Sequence, residues 1–232
     1  GERPVEATRH YNHRWRLFNK TYLTGDTPLG FIERKWYRHE DQARGSLHVH
    51  AALWIRGGHA EAKPNAICGV APRDEHSDAS GIHQCAAERA WRRFVLKVQT
   101  HECMAKCRMK RGERQAAGFC KFGYPRKIWS ETELAQTYED GSPVNLMLPT
   151  GEDRYEYRCE KEEDQRLSPY VPLWLLAWGA NMNVQYCTTA GFLSYIAKYI
   201  AKPEPSGAVP DTSALRTREN ASAKVRFLNA RV

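Results

Sequence analysis

The stretch EDQARGSLHVHAALWIR, residues 40–56, decides how this chain folds. From Leu47 onward it alternates with a period of two, so it reads as a strand. Leu47, Val49, Ala51, Leu53 and Ile55 fall on one face; His48, His50, Ala52, Trp54 and Arg56 fall on the other. The first face is a core face. The second is not solvent-like, because it carries two imidazoles and then an indole and a guanidinium. Histidines two apart on one strand face point their rings the same way and supply two corners of a divalent-metal site. Working backwards, LGFIERKWYRHED (29–41) reads as a strand with large residues on both faces, and AlaArgGlySer at 43–46 supplies a Gly-containing turn. The two strands are expected to form an antiparallel hairpin. Glu40 and Gln42 share a parity and return toward the histidines across that turn. Either side-chain oxygen completes a facial set of three ligands. Two neutral imidazoles and one oxygen suit Mg or Mn with positions open for phosphate and water; Zn also accepts such ligands.

Outward from the hairpin, residues 10–24 (HYNHRWRLFNKTYLT) are predicted helical, since Trp15, Phe18 and Tyr22 recur at three and four residues. Residues 57–82, rich in Gly, Pro, Asp and Ser, read as loop. Residues 85–100 read as a helix with Ala87, Trp91, Phe94, Val95 and Val98 on one side. A hairpin-like stretch is expected within 130–158, around Glu139-Asp140-Gly141-Ser142. Residues 170–187 read as apolar packing followed by a strand ending at NVQYC. AGFLSYIAKYIAK (190–202) is a helix stopped by Pro203 and Pro205, and 203–223 reads as linker. The expected class is α+β: a central antiparallel sheet with helices packed on it, and residues 57–129 as an inserted helix plus Cys/His subdomain within one domain, 1–232.

The composition excludes several classes. With 41% apolar and 27% charged residues in 232, the chain is too apolar for wholesale disorder. Its longest apolar stretch, Val171 to Ala180, is broken by Pro172 and Gly179 and falls short of the roughly 20 residues a bilayer requires. No apolar segment follows a basic N-terminus, so no secretory signal is visible and an intracellular setting is expected. The chain starts without Met and stops in mid-pattern at FLNARV, which reads as a piece of a longer protein. Seven cysteines, an odd number without an export signal, fit reduced thiols, some holding metal, better than a disulfide framework. The 35 Lys and Arg against 27 Asp and Glu favour a polyanionic partner, and 7 Trp and 11 Tyr offer surfaces on which bases stack.

In the helix at 190–202, Phe192, Leu193, Ile196, Ala197 and Ile200 form an apolar stripe. Tyr195 and Tyr199 lie one turn apart on its flank, with Lys198 and Lys202 just beyond. Tyrosines at such a boundary ordinarily pack their rings and keep their hydroxyls wet. The functional reading needs both phenols to face the histidine strand. A phenol titrates near 10, and a nearby Lys or metal favours phenolate and neutralises charge on a phosphodiester under attack. Tyrosines so placed take over a DNA 5′ phosphate and free a 3′ hydroxyl. Two of them allow two successive strand transfers.

The segment His101-x-Cys103-x3-Cys107-x12-Cys120 offers four ligands compatible with a tetrahedral structural Zn. Cys68, His83 and Cys85 are alternative members. Basic residues crowd this segment, among them Lys121 and Arg126. With Phe119, Phe122, Tyr124 and Trp129 interleaved, it reads as a DNA-contacting lobe. Arg34, Arg44, Trp54 and Arg56 are the DNA-contact candidates on the hairpin.

Together these residues resemble a known family. GSLHVHAALWI with YIAKYIAK looks like a His-hydrophobic-His (HUH) single-strand endonuclease of the two-tyrosine kind. More closely, the chain resembles the replication-initiator-like N-terminal nuclease domain of Helitron rolling-circle transposases, through HYNHRWRLFNK, EDQARGSLHVHAALWI, HECMAKC with CKFGYPRK, and NMNVQYCTTAGFLSYIAKYIAK. Asp41 departs from the family's usual aromatic. The resemblance implies a palm-like, ferredoxin-type core and a metal-dependent nickase and strand transferase for single-stranded DNA. It implies His48 and His50 as metal ligands, Glu40 or Gln42 as the third, and Tyr195 and Tyr199 as nucleophiles. It also implies a helicase domain following this segment, and a nuclear location in a eukaryotic source. The competing reading is a non-catalytic, zinc-stabilised single-stranded DNA-binding module. Two-histidine phosphoesterases would need a second His-x-Thr or His-x-Ser copy, and His76, His83 and His101 supply none.

Overall fold

The structure, a computed structural model, describes residues 4–42, 46–73, 85–104, 107, 120, 122–135 and 154–187. Helix α1 (Pro4–Tyr22) opens the chain and leads into β1 (Gly25–Thr27), β2 (Gly30–Gln42) and β3 (Ser46–Ile55). These strands form one antiparallel sheet in the order β1-β2-β3. Helix α2 (Ala86–Gln99) and the short α3 (Pro172–Trp178) follow, with a two-stranded antiparallel pair β4 (Glu133–Ala135) and β5 (Arg154–Glu156) between them in sequence. The protein is thus α+β, with helices against an antiparallel sheet. No helix among the described residues is long and apolar enough to cross a membrane.

The β2–β3 hairpin forms where the alternation places it, but its register contains a shift. Ile32 pairs with Ile55, yet Arg34 pairs with Trp54, so Glu33 is an extra residue on β2. Such a bulge exchanges the faces of everything beyond it. Before it, Ile32 is buried in the core. After it, the odd residues stand on the α1 side while staying exposed: Trp15 of α1 packs edge-on against Tyr37 and His39, and Tyr11 against His39. The even residues Arg34, Trp36, Arg38 and Glu40 therefore share the other face with Trp54, Ala52, His50 and His48. Gly30 is required at the start of β2. Its φ is +117°, and a Cβ there would stand 2.8 Å from Ile55 Cγ2.

Of the predicted stripe, α1 buries Trp15 and Phe18 and packs Tyr22 partly buried against the same core, while Leu17 stays outside. It is held to β2 by Lys35, whose ammonium donates to Asn19 O, Leu23 O and Thr24 Oγ1 at 3.1, 2.9 and 2.7 Å. A cation here meets the carbonyl end of the helix dipole. Neighbouring residues of α3 serve two cores: Trp174 joins Trp15, Phe18, Leu23 and Ile32, while Leu175 joins Val95 of α2 and Tyr170.

Residues 181–187 differ from the expected strand. Burial does alternate, and Met182, Val184 and Tyr186 pack inward. Among the described residues, no neighbouring strand accepts their N–H groups. Met182 N–H donates to Gln99 Oε1 (2.9 Å), Val184 N–H to Pro169 O (2.9 Å) and Tyr186 N–H to the Tyr157 hydroxyl (2.7 Å). The segment is an extended strap fastened by three unrelated acceptors. Gln99, almost wholly buried, also donates to Met182 O and Ser168 O, so one amide ties α2 to both segments.

Candidate metal centre

The hairpin positions the site. Glu40 lies directly across from His48, and His50 is its diagonal neighbour on the same face. Glu40 Oε2 stands 2.9 Å from His50 Nε2 and 3.2 Å from His48 Nε2, and the two Nε2 atoms are 2.9 Å apart. The side chains are 15–29% exposed, so the cluster is sheltered but reachable. Three potential ligand atoms thus form a nearly equilateral triangle. Ligands at about 2.1 Å on one face of an octahedron lie about 3 Å apart, which is this spacing. Among the described residues, Glu40, His48 and His50 form a group able to hold a metal ion. Among the described residues, His48 Nδ1 is buried without a hydrogen-bond partner, and none supplies the outer acceptor that usually orients a ligating imidazole.

Of the two candidates for the oxygen ligand, Glu40 is the one seen beside the histidines. The Gln42 side chain lies outside the described residues, as do Tyr195, Lys198, Tyr199, Lys202, Arg44 and Lys121.

A second group joins His101, Cys103 and Cys120, whose ligand atoms all lie within 4.8 Å of one another. Cys120 Sγ is 3.3 Å from His101 Nε2 and accepts the Phe122 N–H at 3.4 Å. His101 stacks on Tyr124, centroids 4.3 Å apart. Burial and the Arg166 guanidinium hold the imidazole below its ordinary pKa, keeping it neutral as a ligand must be. Burial pushes the Cys120 thiol up, against the pull of backbone N–H groups of Phe122 and Tyr124; a bound cation would reverse that. Cys107, expected as a fourth ligand, is not in this set. It is buried beside Cys120 and Tyr124, and its sulfur accepts the Met104 N–H at 3.5 Å. Cys68 is engaged elsewhere, bridging to Tyr170 through its backbone.

Arg126 corrects a second expectation. Read as a DNA contact, it is buried, and its guanidinium donates to the carbonyls of Tyr157, Gly69 and Asp164. A cation whose Nη1 and Nη2 groups donate to backbone inside the protein is a structural cross-link. Gly69 permits this approach, since a Cβ there would lie 2.5 Å from Arg158 O and 3.0 Å from Arg126 Nη1. Arg34, Trp54 and Arg56 are exposed. Arg38 and Trp36, passed over in the sequence, share their face. The parity of Glu40 would have indicated both, because they stand two and four residues before it.

Comparison with family models, with curated proteins and with solved structures gave no match to this chain.

Proposed function

We propose that this chain is a metal-dependent single-stranded DNA endonuclease and strand transferase of the two-tyrosine HUH type, acting in rolling-circle transposition as the domain that opens a Helitron-like transposase. The observation that carries the reading is the triangle of Glu40 Oε2, His48 Nε2 and His50 Nε2 on one face of the hairpin. Two imidazoles and one carboxylate with open positions suit a hard divalent ion of the Mg or Mn kind, and such an ion supplies charge neutralisation at a phosphate oxygen. In this reading the three-stranded sheet is part of the palm, with the tyrosine helix 190–202 opposite the triangle.

The reaction is a transesterification. The phenolic oxygen of Tyr195 or Tyr199 attacks the scissile phosphorus in line, and its proton passes to solvent or a nearby base. The bond to the 3′ oxygen breaks, and that oxygen takes up a proton to become a free hydroxyl. The 5′ phosphate is now a phosphotyrosine diester, so a later 3′ hydroxyl restores a phosphodiester without an external energy source. Lys198 and Lys202 balance charge on the phosphate under attack. His101, Cys103 and Cys120 are proposed to hold a structural Zn, and a helicase domain following the chain belongs to the same proposal.

Incubation with labelled single-stranded DNA and Mg or Mn tests it. An SDS-resistant protein–DNA adduct is expected, lost when Tyr195→Phe and Tyr199→Phe are combined. An undiminished adduct in that double variant contradicts the tyrosine assignment. Salt-sensitive binding with no cleavage under any metal favours the zinc-stabilised binding module instead.

A further inference from the structure

The Cys/His group that follows α2 contains two sulfurs of unlike access. Cys103 is exposed, whereas Cys120 is buried. Their Sγ atoms lie within 4.8 Å of each other and of a His101 ring nitrogen. Two thiolates on a tetrahedral Zn, each at about 2.3 Å, stand roughly 3.8 Å apart, so one arrangement serves a metal ion and a thiol pair alike. The Arg166 guanidinium donates to Cys103 Sγ at 3.7 Å and holds that sulfur at the surface. On the inner side, Cys120 Sγ accepts the Phe122 N–H. The remaining cysteines are placed differently. Cys107 and Cys159 are buried, and Cys68 donates to Val70 O. Cys85 and Cys187 are exposed but stand outside the group.

We propose that Cys103 and Cys120 form an oxidant-sensitive pair, which a hydroperoxide converts to a disulfide with loss of the metal ion held there. The metal release rests on the zinc reading above; the disulfide rests on the two sulfurs alone. The exposed Cys103 sulfur attacks one oxygen of hydrogen peroxide, and the O–O bond breaks. Cys103 becomes a sulfenic acid, and the other oxygen leaves as water. The Cys120 sulfur then attacks the Cys103 sulfur, the S–O bond breaks, and that oxygen leaves as a second water. The two sulfurs together lose two electrons, which the peroxide gains. A bond of about 2 Å pulls the sulfurs out of ligand spacing. A disulfide sulfur also lacks the charge of the thiolate that binds metal. His101 is then one donor left of three, too few to retain the ion. Cys107 lies buried behind Cys120 and is not the sulfur that an oxidant meets first.

The test loads the full chain with Zn under reductant, removes both excesses and adds hydrogen peroxide. Trypsin cuts after Lys106, Arg108 and Arg114, so Cys103, Cys107 and Cys120 fall on separate peptides that non-reducing mass spectrometry tells apart. A peptide linked through Cys103 and Cys120 is expected, appearing in step with Zn release followed by a colorimetric chelator. Dithiothreitol with added Zn should reverse both changes. Cys85→Ser should alter neither, and Cys103→Ser should lose the link; should that variant fold poorly, the wild-type peptide map decides by itself. No linked peptide, or one that joins Cys120 to Cys107 or Cys85 instead, overturns the pair. A link formed while Zn stays bound overturns the release. The zinc reading fails separately. A link formed in a chain that never took up Zn retires the zinc and leaves the pair, whereas Zn retained through the peroxide with no link retires the pair and leaves the zinc.

Discussion

Glu40 is one carboxylate between two imidazoles, and its charge is the part of the triangle that an amide cannot replace. Glu40→Gln keeps the shape and removes the anion. Mn affinity measured by calorimetry is expected to fall on the order of tenfold or more, and affinity equal to wild type would mean that Glu40 is not a ligand. Arg126 makes the contrasting case. Arg126→Met leaves the carbonyls of Gly69, Tyr157 and Asp164 without their donor inside the protein. The cost should be about 2–5 kcal/mol, read as a lower urea midpoint. A DNA-contacting arginine would leave the midpoint in place. Sequence alone could not separate these two roles, because an Arg in a basic run looks the same whether three carbonyls or a phosphate receive it. Strand parity brought Glu40 and Gln42 alike to the histidine face, since it fixes which side chains share a face, but it could not choose between them.

At the scale of elements, α1 and β2 meet through His39, which sits among Tyr11, Trp15 and Tyr37. Burial holds its pKa below the ordinary 6.5. The unfolded chain then binds a proton more readily than the folded one, so the contribution of His39 is fully present above about pH 6.5 and is lost as pH falls below it. His39→Gln should flatten that part of the stability–pH curve relative to wild type, as followed by urea unfolding at a series of pH values. Parallel curves for the two proteins would contradict the assignment. β2, β3, α1 and α2 were legible from periodicity; β1 was not, because Gly25–Thr27 is three residues long and reads as the stop of α1. The bulge was not, since Glu33 carries no turn signal and only pairing with Trp54 and Ile55 reveals the extra residue. Residues 181–187 misled for a related reason. Alternating burial shows that a segment is extended, not that a neighbouring strand receives its hydrogen bonds; Gln99 and Tyr157 do so here.

At the scale of the molecule, His101 follows directly on Thr100 at the end of α2, and its N–H donates to Arg166 O, so the Cys/His group is wired into the core. If it holds Zn, chelation should lower the melting temperature and added Zn should restore it, with Cys120→Ser melting like the chelated wild type. A melting temperature indifferent to both treatments would leave the three side chains as a metal-free cluster. The spacing of His101, Cys103 and Cys120 was readable as a metal pattern. The place of Cys107 was not, because ligand choice depends on how the chain between Cys103 and Cys120 turns in space.

A two-tyrosine nuclease requires the imidazole pair of β3 and the phenols of residues 195 and 199 to converge on one ion. A crystal structure of the chain with Mn, located by its anomalous scattering, tests this most directly. We expect one Mn between Glu40 Oε2, His48 Nε2 and His50 Nε2, with the Tyr195 or Tyr199 hydroxyl facing it across a shared cavity. Mn elsewhere, or both hydroxyls on the α1 side of the sheet, would contradict the nuclease.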